Sequence, residues 1–150
     1  MRKAFVITSS LLLAAFALQF VFAAVGAFTK PGGEGAYALH SATGMAVIPV
    51  LNLLTILFAA LARAPGRLIG LTVLPLGLVI LQALIAGLAN GMTDAGGVST
   101  PFGLTVAGLH AVNGIVAVHV VVNVVRAARR LGRPAPVDVA PVAVREGEPA

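Results

Sequence analysis

Four runs of almost unbroken apolar residues, at about 4–28, 36–62, 68–89 and 101–125, dominate the chain, and nearly every charge falls between or beyond them. A helix of about 20 residues crosses a hydrocarbon core of about 30 Å and satisfies its own backbone while doing so. Soluble domains carry about a quarter of their residues as charges. Here 10 % are charged and 59 % hydrophobic, so the chain lacks the polar surface to face water. The expected fold is all-α: a four-helix transmembrane bundle, up-down-up-down because the connections are short.

Arg2 and Lys3 precede the first run, with small residues near Ala23–Ala27. A secretory signal peptide shares that layout, but a run of about 25 residues exceeds a signal's usual apolar segment and reads as a retained helix. Pro31 and the glycines around it mark a loop. The second run holds Pro49, an expected kink, and ends in the basic turn Arg63-Ala64-Pro65-Gly66-Arg67. The third run contains Pro75, and a Gly-rich loop with Asp94 follows Asn90. Thr100 before Pro101 has the form of a helix N-cap with proline in the first position. Arg126, Arg129, Arg130 and Arg133 close the fourth helix. The transmembrane domain is expected over 1–130, with a disordered tail over 131–150 for want of any apolar period.

Arg2, Lys3, Arg63, Arg67, Arg126, Arg129, Arg130, Arg133 and Arg145 fall on one side of the spans and only Lys30 on the other. The positive-inside rule then places both termini in the cytoplasm. The same distribution removes nucleic acid as a reading of the net charge of +5, because these cations flank spans instead of forming a patch. There is no cysteine, which excludes disulfides, thiolate metal sites and thiol nucleophiles. No acid lies inside a span, which disfavours a cation-coupled transporter and leaves hydrolytic chemistry without parts. The reading leans away from an enzyme.

The halves look like one hairpin written twice. The only glutamines, Gln19 and Gln82, each follow a leucine, and Leu39-His40-x-x-x-Gly44 matches Leu109-His110-x-x-x-Gly114. The second half has seven more residues between its glutamine and histidine, which are expected in the outer loop. Internal duplication is common in membrane proteins.

An ionisable group inside a membrane asks for a reason, so His40 and His110 are the candidate site. Each has a glycine four residues on, on the same helix face. On the fourth helix that face continues as Gly103, Ala107, His110, Gly114 and Ala117. Two readings stay open. In one, small residues allow close helix packing and each imidazole bonds to Gln19, Gln82 or a carbonyl. In the other, the two imidazoles ligate the iron of a haem b, with Gly44 and Gly114 giving clearance. Depth weighs against the second. His40 lies 23 residues before Arg63 but His110 only 16 before Arg126. At 1.5 Å per residue the rings would be offset by about 10 Å unless Arg133 is the counterpart of Arg63. His119 faces away from His110 and reads as a structural polar contact, while Asn52, Asn113 and Asn123 read as helix–helix hydrogen-bonding groups. Beyond the lipid bilayer, the expected partners are another membrane protein or a second copy of the chain.

Leu18-Gln19, His40 with Gly44, and Leu109-His110-Ala111-Val112-Asn113 together resemble an uncharacterised bacterial family of small four-span membrane proteins over about residues 1–133. The resemblance implies a bacterial inner membrane and brings no established function. More distantly, the layout is similar to one half of haem A synthase, which carries haem-ligating histidines on the second and fourth helices of each half. Tyr37 stands where that family has a glutamate and Ser41 where an arginine is common. A bound haem, and not haem A synthesis, is what that likeness implies.

Overall fold

The computed structural model describes residues 1–31, 33 and 35–133. They form four helices: α1 (Arg2–Phe28), α2 (Ala38–Leu61), α3 (Gly66–Asn90) and α4 (Pro101–Gly132). All four are long and apolar enough to cross a membrane. Among the described residues the only strand-like pairing is one bridge between Thr93 and Ser99. Helices α1–α2, α2–α3, α3–α4 and α4–α1 pack as neighbours. The ring closes as an up-down-up-down bundle, with α2 and α4 on one diagonal and α1 and α3 on the other.

The exterior is apolar by necessity: Leu11, Leu53, Leu84 and Ile115 are all exposed. Lipid tails are as apolar as these side chains, so burial between helices gains little there, and packing and interhelical hydrogen bonds must hold the bundle. Packing is supplied by small residues. Phe5 is buried against Ala59, Val124 and Ala128, while Leu12 and Phe16 pack with Ile48, Ala117 and Val121. The interior hydroxyls of Thr8, Ser9, Thr55 and Thr72 each donate to a carbonyl three or four residues back on their own helix. Asn52 is fully buried, yet among the described residues neither amide atom has a partner, so it does not make the interhelical bond its sequence position suggests.

The basic turn is tight because α2 ends on paired C-terminal bonds. Ala64 N–H donates to Ala59 O at 3.0 Å and Arg63 N–H to Ala60 O at 2.9 Å, with Arg63 left-handed at φ 56°. This is the usual way to end a helix on a left-handed residue, with arginine where glycine is commoner. At the other end, Thr100 Oγ1 accepts from Gly103 N–H at 3.1 Å, the expected cap ahead of Pro101.

Three local features differ from the sequence reading. The fourth helix does not stop near Val125 but runs on to Gly132, because Ala128 is buried and Leu131 packs beside it. Arg126 is exposed on its flank, where its aliphatic stem can lie along the helix and carry the charge outward. The seven additional residues of the second half are helical, not loop. Helix α4 begins nine residues before His110, whereas α2 begins two before His40. Finally, the disturbance at Pro49 takes the form of a π turn over Thr43–Val47, with Ile48 N–H bonded to Thr43 O. Proline cannot donate to the carbonyl four residues back and its ring crowds it, so widening the preceding turn relieves the clash. Residues 131–133 of the expected tail are described and largely helical; the rest of that expectation lies outside the described residues.

Candidate functional site

The histidines reach the bundle interior from diagonal helices, each tied to the neighbouring helix by the same contact. His40 Nδ1 lies 3.1 Å from the backbone carbonyl of Gln19 on α1. His110 Nδ1 lies 3.3 Å from the carbonyl of Gln82 on α3. A carbonyl only accepts, so both Nδ1 atoms carry a proton, and in the corresponding tautomer the lone pair of each ring is on Nε2. The ring centroids are 6.1 Å apart with the planes tilted by 48°. The 10 Å offset expected from Arg126 does not exist. Helix α2 continues for 21 residues beyond His40 and α4 for 22 beyond His110, which makes Arg133 the counterpart of Arg63.

Around this pair the second half is laced together. Gln82 Nε2 donates to His110 O at 2.7 Å, and Asn113 Nδ2 donates to Leu78 O at 2.9 Å and to Gln82 Oε1. Interhelical bonds in membranes average about 0.6 kcal/mol, so the five bonds of this layer contribute on the order of 3 kcal/mol together. Gln19 is held differently. Its Nε2 rests against Gly44, only 2.5 Å from where a Cβ there would lie, and its Oε1 is buried with no partner among the described residues.

A cavity of about 140 Å³ lies along the α1–α4 seam. Both imidazoles border it, together with Phe16 and Phe20 of α1, Leu78 of α3, and Gly114 and Ala117 of α4. Gly44 is not on its wall: the space its missing side chain leaves is taken by the Gln19 amide. His119 is exposed and takes no part. Of the face the spacing predicts on α4, Gly103 and Ala117 are buried and His110 and Gly114 border the cavity, while Ala107 is exposed and Val106 is buried in its place.

Sequence reasoning overlooked the aromatic neighbours. Tyr37 meets His40 edge-on at 6.4 Å between ring centroids, and its ring fills the space that Gly26 leaves open. The signal was present, since Tyr37 is the chain's single tyrosine and sits one helical turn before His40.

Two imidazole lone pairs in an apolar cavity, with no carboxylate and no nucleophile beside them, suit ligation better than proton abstraction. Among the described residues no group of three or more His, Cys, Asp or Glu side chains could hold a metal ion. A protein-only metal site is therefore not built there. What the layer presents is two imidazole nitrogens facing an apolar cavity.

Fold and site define a small four-helix membrane protein with a diagonal histidine pair. Residues 19–90 match the model of a family of unknown function (DUF6220). The match starts at Gln19, takes in His40, Gly44 and Gln82, and stops short of α4 with His110, Asn113 and Gly114. No curated protein and no solved structure matches the chain.

Proposed function

We propose that the chain is a membrane b-type haem protein, with His40 and His110 as the two axial ligands. The observation that carries this reading is the spacing of the pair. Two imidazole nitrogens about 2.0–2.1 Å from one metal set their ring centroids about 6 Å apart. The rings stand at 6.1 Å, with Nε2 free on each. Nδ1–H donation to a carbonyl is also the usual way a ligating histidine is fixed in tautomer and orientation. The His-x-x-x-Gly likeness to haem A synthase halves points the same way.

A haem bound here would supply one-electron exchange within the membrane. The chain's own part is to aim both imidazoles, to keep water out with Phe16, Phe20 and Leu78, and to leave the wall open at Gly114. The cavity is smaller than a tetrapyrrole, so loading requires the α1–α4 seam to part. The repeated Gln carbonyl–His contact supports descent from a duplicated hairpin. The gathering of Arg2, Lys3, Arg63, Arg67 and Arg133 at one end of the bundle supports cytoplasmic termini, and the bacterial inner membrane is what the four-span family likeness implies.

The test is an absorption spectrum of purified protein titrated with haemin. A low-spin band should grow to one haem per chain, His40→Ala and His110→Ala should each remove it, and His119→Ala should keep it. A wild-type spectrum no different from free haemin would end the proposal. A cofactor-free accessory subunit is the second reading, and one observation favours it: both imidazoles already bond across helix interfaces. In that case the same substitutions would weaken the bundle or its complex and change no chromophore.

A further inference from the structure

We propose that the cleft where α1 begins and α4 ends binds the phosphate headgroup of an anionic phospholipid. The cleft is an open depression of about 440 Å³ at the end of the bundle opposite the histidine layer. Arg2 and Lys3 of α1, Arg129 of α4 and Arg133 just past its end all line it, and all four are exposed. Asp94, the one acidic residue among those described, lies in the α3–α4 loop at the other end. Four like charges around one cleft repel one another, and an anion between them removes that cost. Arginine forks are shaped to hold phosphate oxygens two at a time. The first backbone N–H groups of α1 add to the field, since no side chain caps that helix.

The apolar part of the cleft argues for a lipid over free phosphate. Val6 and Ile7 lie directly beneath the cations, with Ile7 58 % exposed on the helix flank, where an acyl chain would run. A Cβ at Gly132 would make ordinary contact with Val6 Cγ2 at 3.7 Å, so a longer side chain there would lie over the floor of the cleft. An amphiphile satisfies both halves of this surface at once, and basic pockets between membrane helices are known to take such headgroups. Arg63 and Arg67 are equally basic and at the same end, but Arg63 lies in the α2–α3 turn and Arg67 in the first turn of α3, both outside the cleft. They provide an internal control.

Full-length protein is reconstituted in phosphatidylcholine vesicles holding a minor share of phosphatidylglycerol, extracted into mild detergent, and its retained lipids are counted by native mass spectrometry. Wild type should retain phosphatidylglycerol out of proportion to its share. Each cation near an anionic headgroup contributes a factor of about five, so Arg129→Gln with Arg133→Gln should lower that preference on the order of twentyfold. Gly132→Leu keeps every charge but fills the floor, and it should lower the preference too. Arg63→Gln with Arg67→Gln should leave it unchanged. Equal losses in both double variants would reduce the effect to general charge and overturn the proposal. So would displacement of the lipid by added inorganic phosphate. A several-fold rise in retention on deleting residues 134–150 would mean that tail carboxylates fill the cleft, which also overturns it.

Discussion

The two halves of the bundle present their histidines alike but hold their glutamines differently. In the second half both ends of the Gln82 amide are engaged, Nε2 by His110 O and Oε1 by Asn113. In the first half Gln19 Oε1 is buried and unpartnered, and its Nε2 leans on the bare backbone of Gly44. The cause can be traced to one position. Three residues after His110 stands Asn113, whereas three after His40 stands Thr43, in the π turn that precedes Pro49. A threonine lacks the reach of an amide, and the widened turn displaces it further. One half is therefore locked, and the other keeps a polar group in reserve beside the cavity.

The contrast extends to the loops, where it should have its largest effect. Seven residues beyond Gln19 is Gly26, and seven beyond Gln82 is Ala89. A Cβ at Gly26 would lie 2.5 Å from Tyr37 Cδ1 and 2.9 Å from the backbone oxygen of Ala36. Backbone cannot swing aside, so Gly26→Ala should cost about 2–3 kcal/mol, in the range of overpacked sites. Ala89→Gly should cost no more than about 1 kcal/mol, the difference in helix propensity. Unfolding titrations in mixed micelles compare the two. Equal costs would mean that Tyr37 does not pin the first loop.

Next in size is the pair of glutamines. Gln82→Met removes two interhelical bonds and deprives Asn113 of one acceptor, so a loss of about 1–3 kcal/mol is expected. Gln19→Met removes a buried orphan oxygen and no side-chain bond, because His40 uses the backbone carbonyl of residue 19. Its expected effect is within about 0.5 kcal/mol of zero, with a gain in stability admissible. The same titrations report both. A large loss at Gln19 would show that its amide has a partner in the membrane, and the contrast between the halves would fall.

Much of this was legible in the sequence, and the misses have physical causes. The spans, the Thr100 cap and the disturbance at Pro49 follow from periodicity and from the rarity of polar residues, whereas the level of the two histidines stayed open. Arg126 misled, because an arginine inside an apolar run reads as the end of a span when an exposed one can simply reach outward. Once Arg133 is taken as the end, the depths agree. Partner choice was not legible. Sequence alone does not tell whether a histidine will bond the amide or the backbone of a glutamine, nor that Asn113 would find Gln82 while Asn52 finds nothing.

The smallest effect is the most direct test of the asymmetry, because it tries to transplant the lock. Thr43→Asn places in the first half the residue that secures the second. By the register of the repeat, its Nδ2 would reach toward Gln19 Oε1 and the carbonyl of Ala15, the counterparts of Gln82 Oε1 and Leu78 O. Satisfying a buried acceptor and adding one interhelical bond should stabilise the bundle by about 0.5–1 kcal/mol, a little offset by the poorer helix propensity of asparagine. The gain should vanish when Gln19→Met is present, since the new amide then has no side chain to meet. Additive effects of the two substitutions would show that no such bond forms. The π turn, and not the identity of residue 43, would then be what leaves Gln19 free.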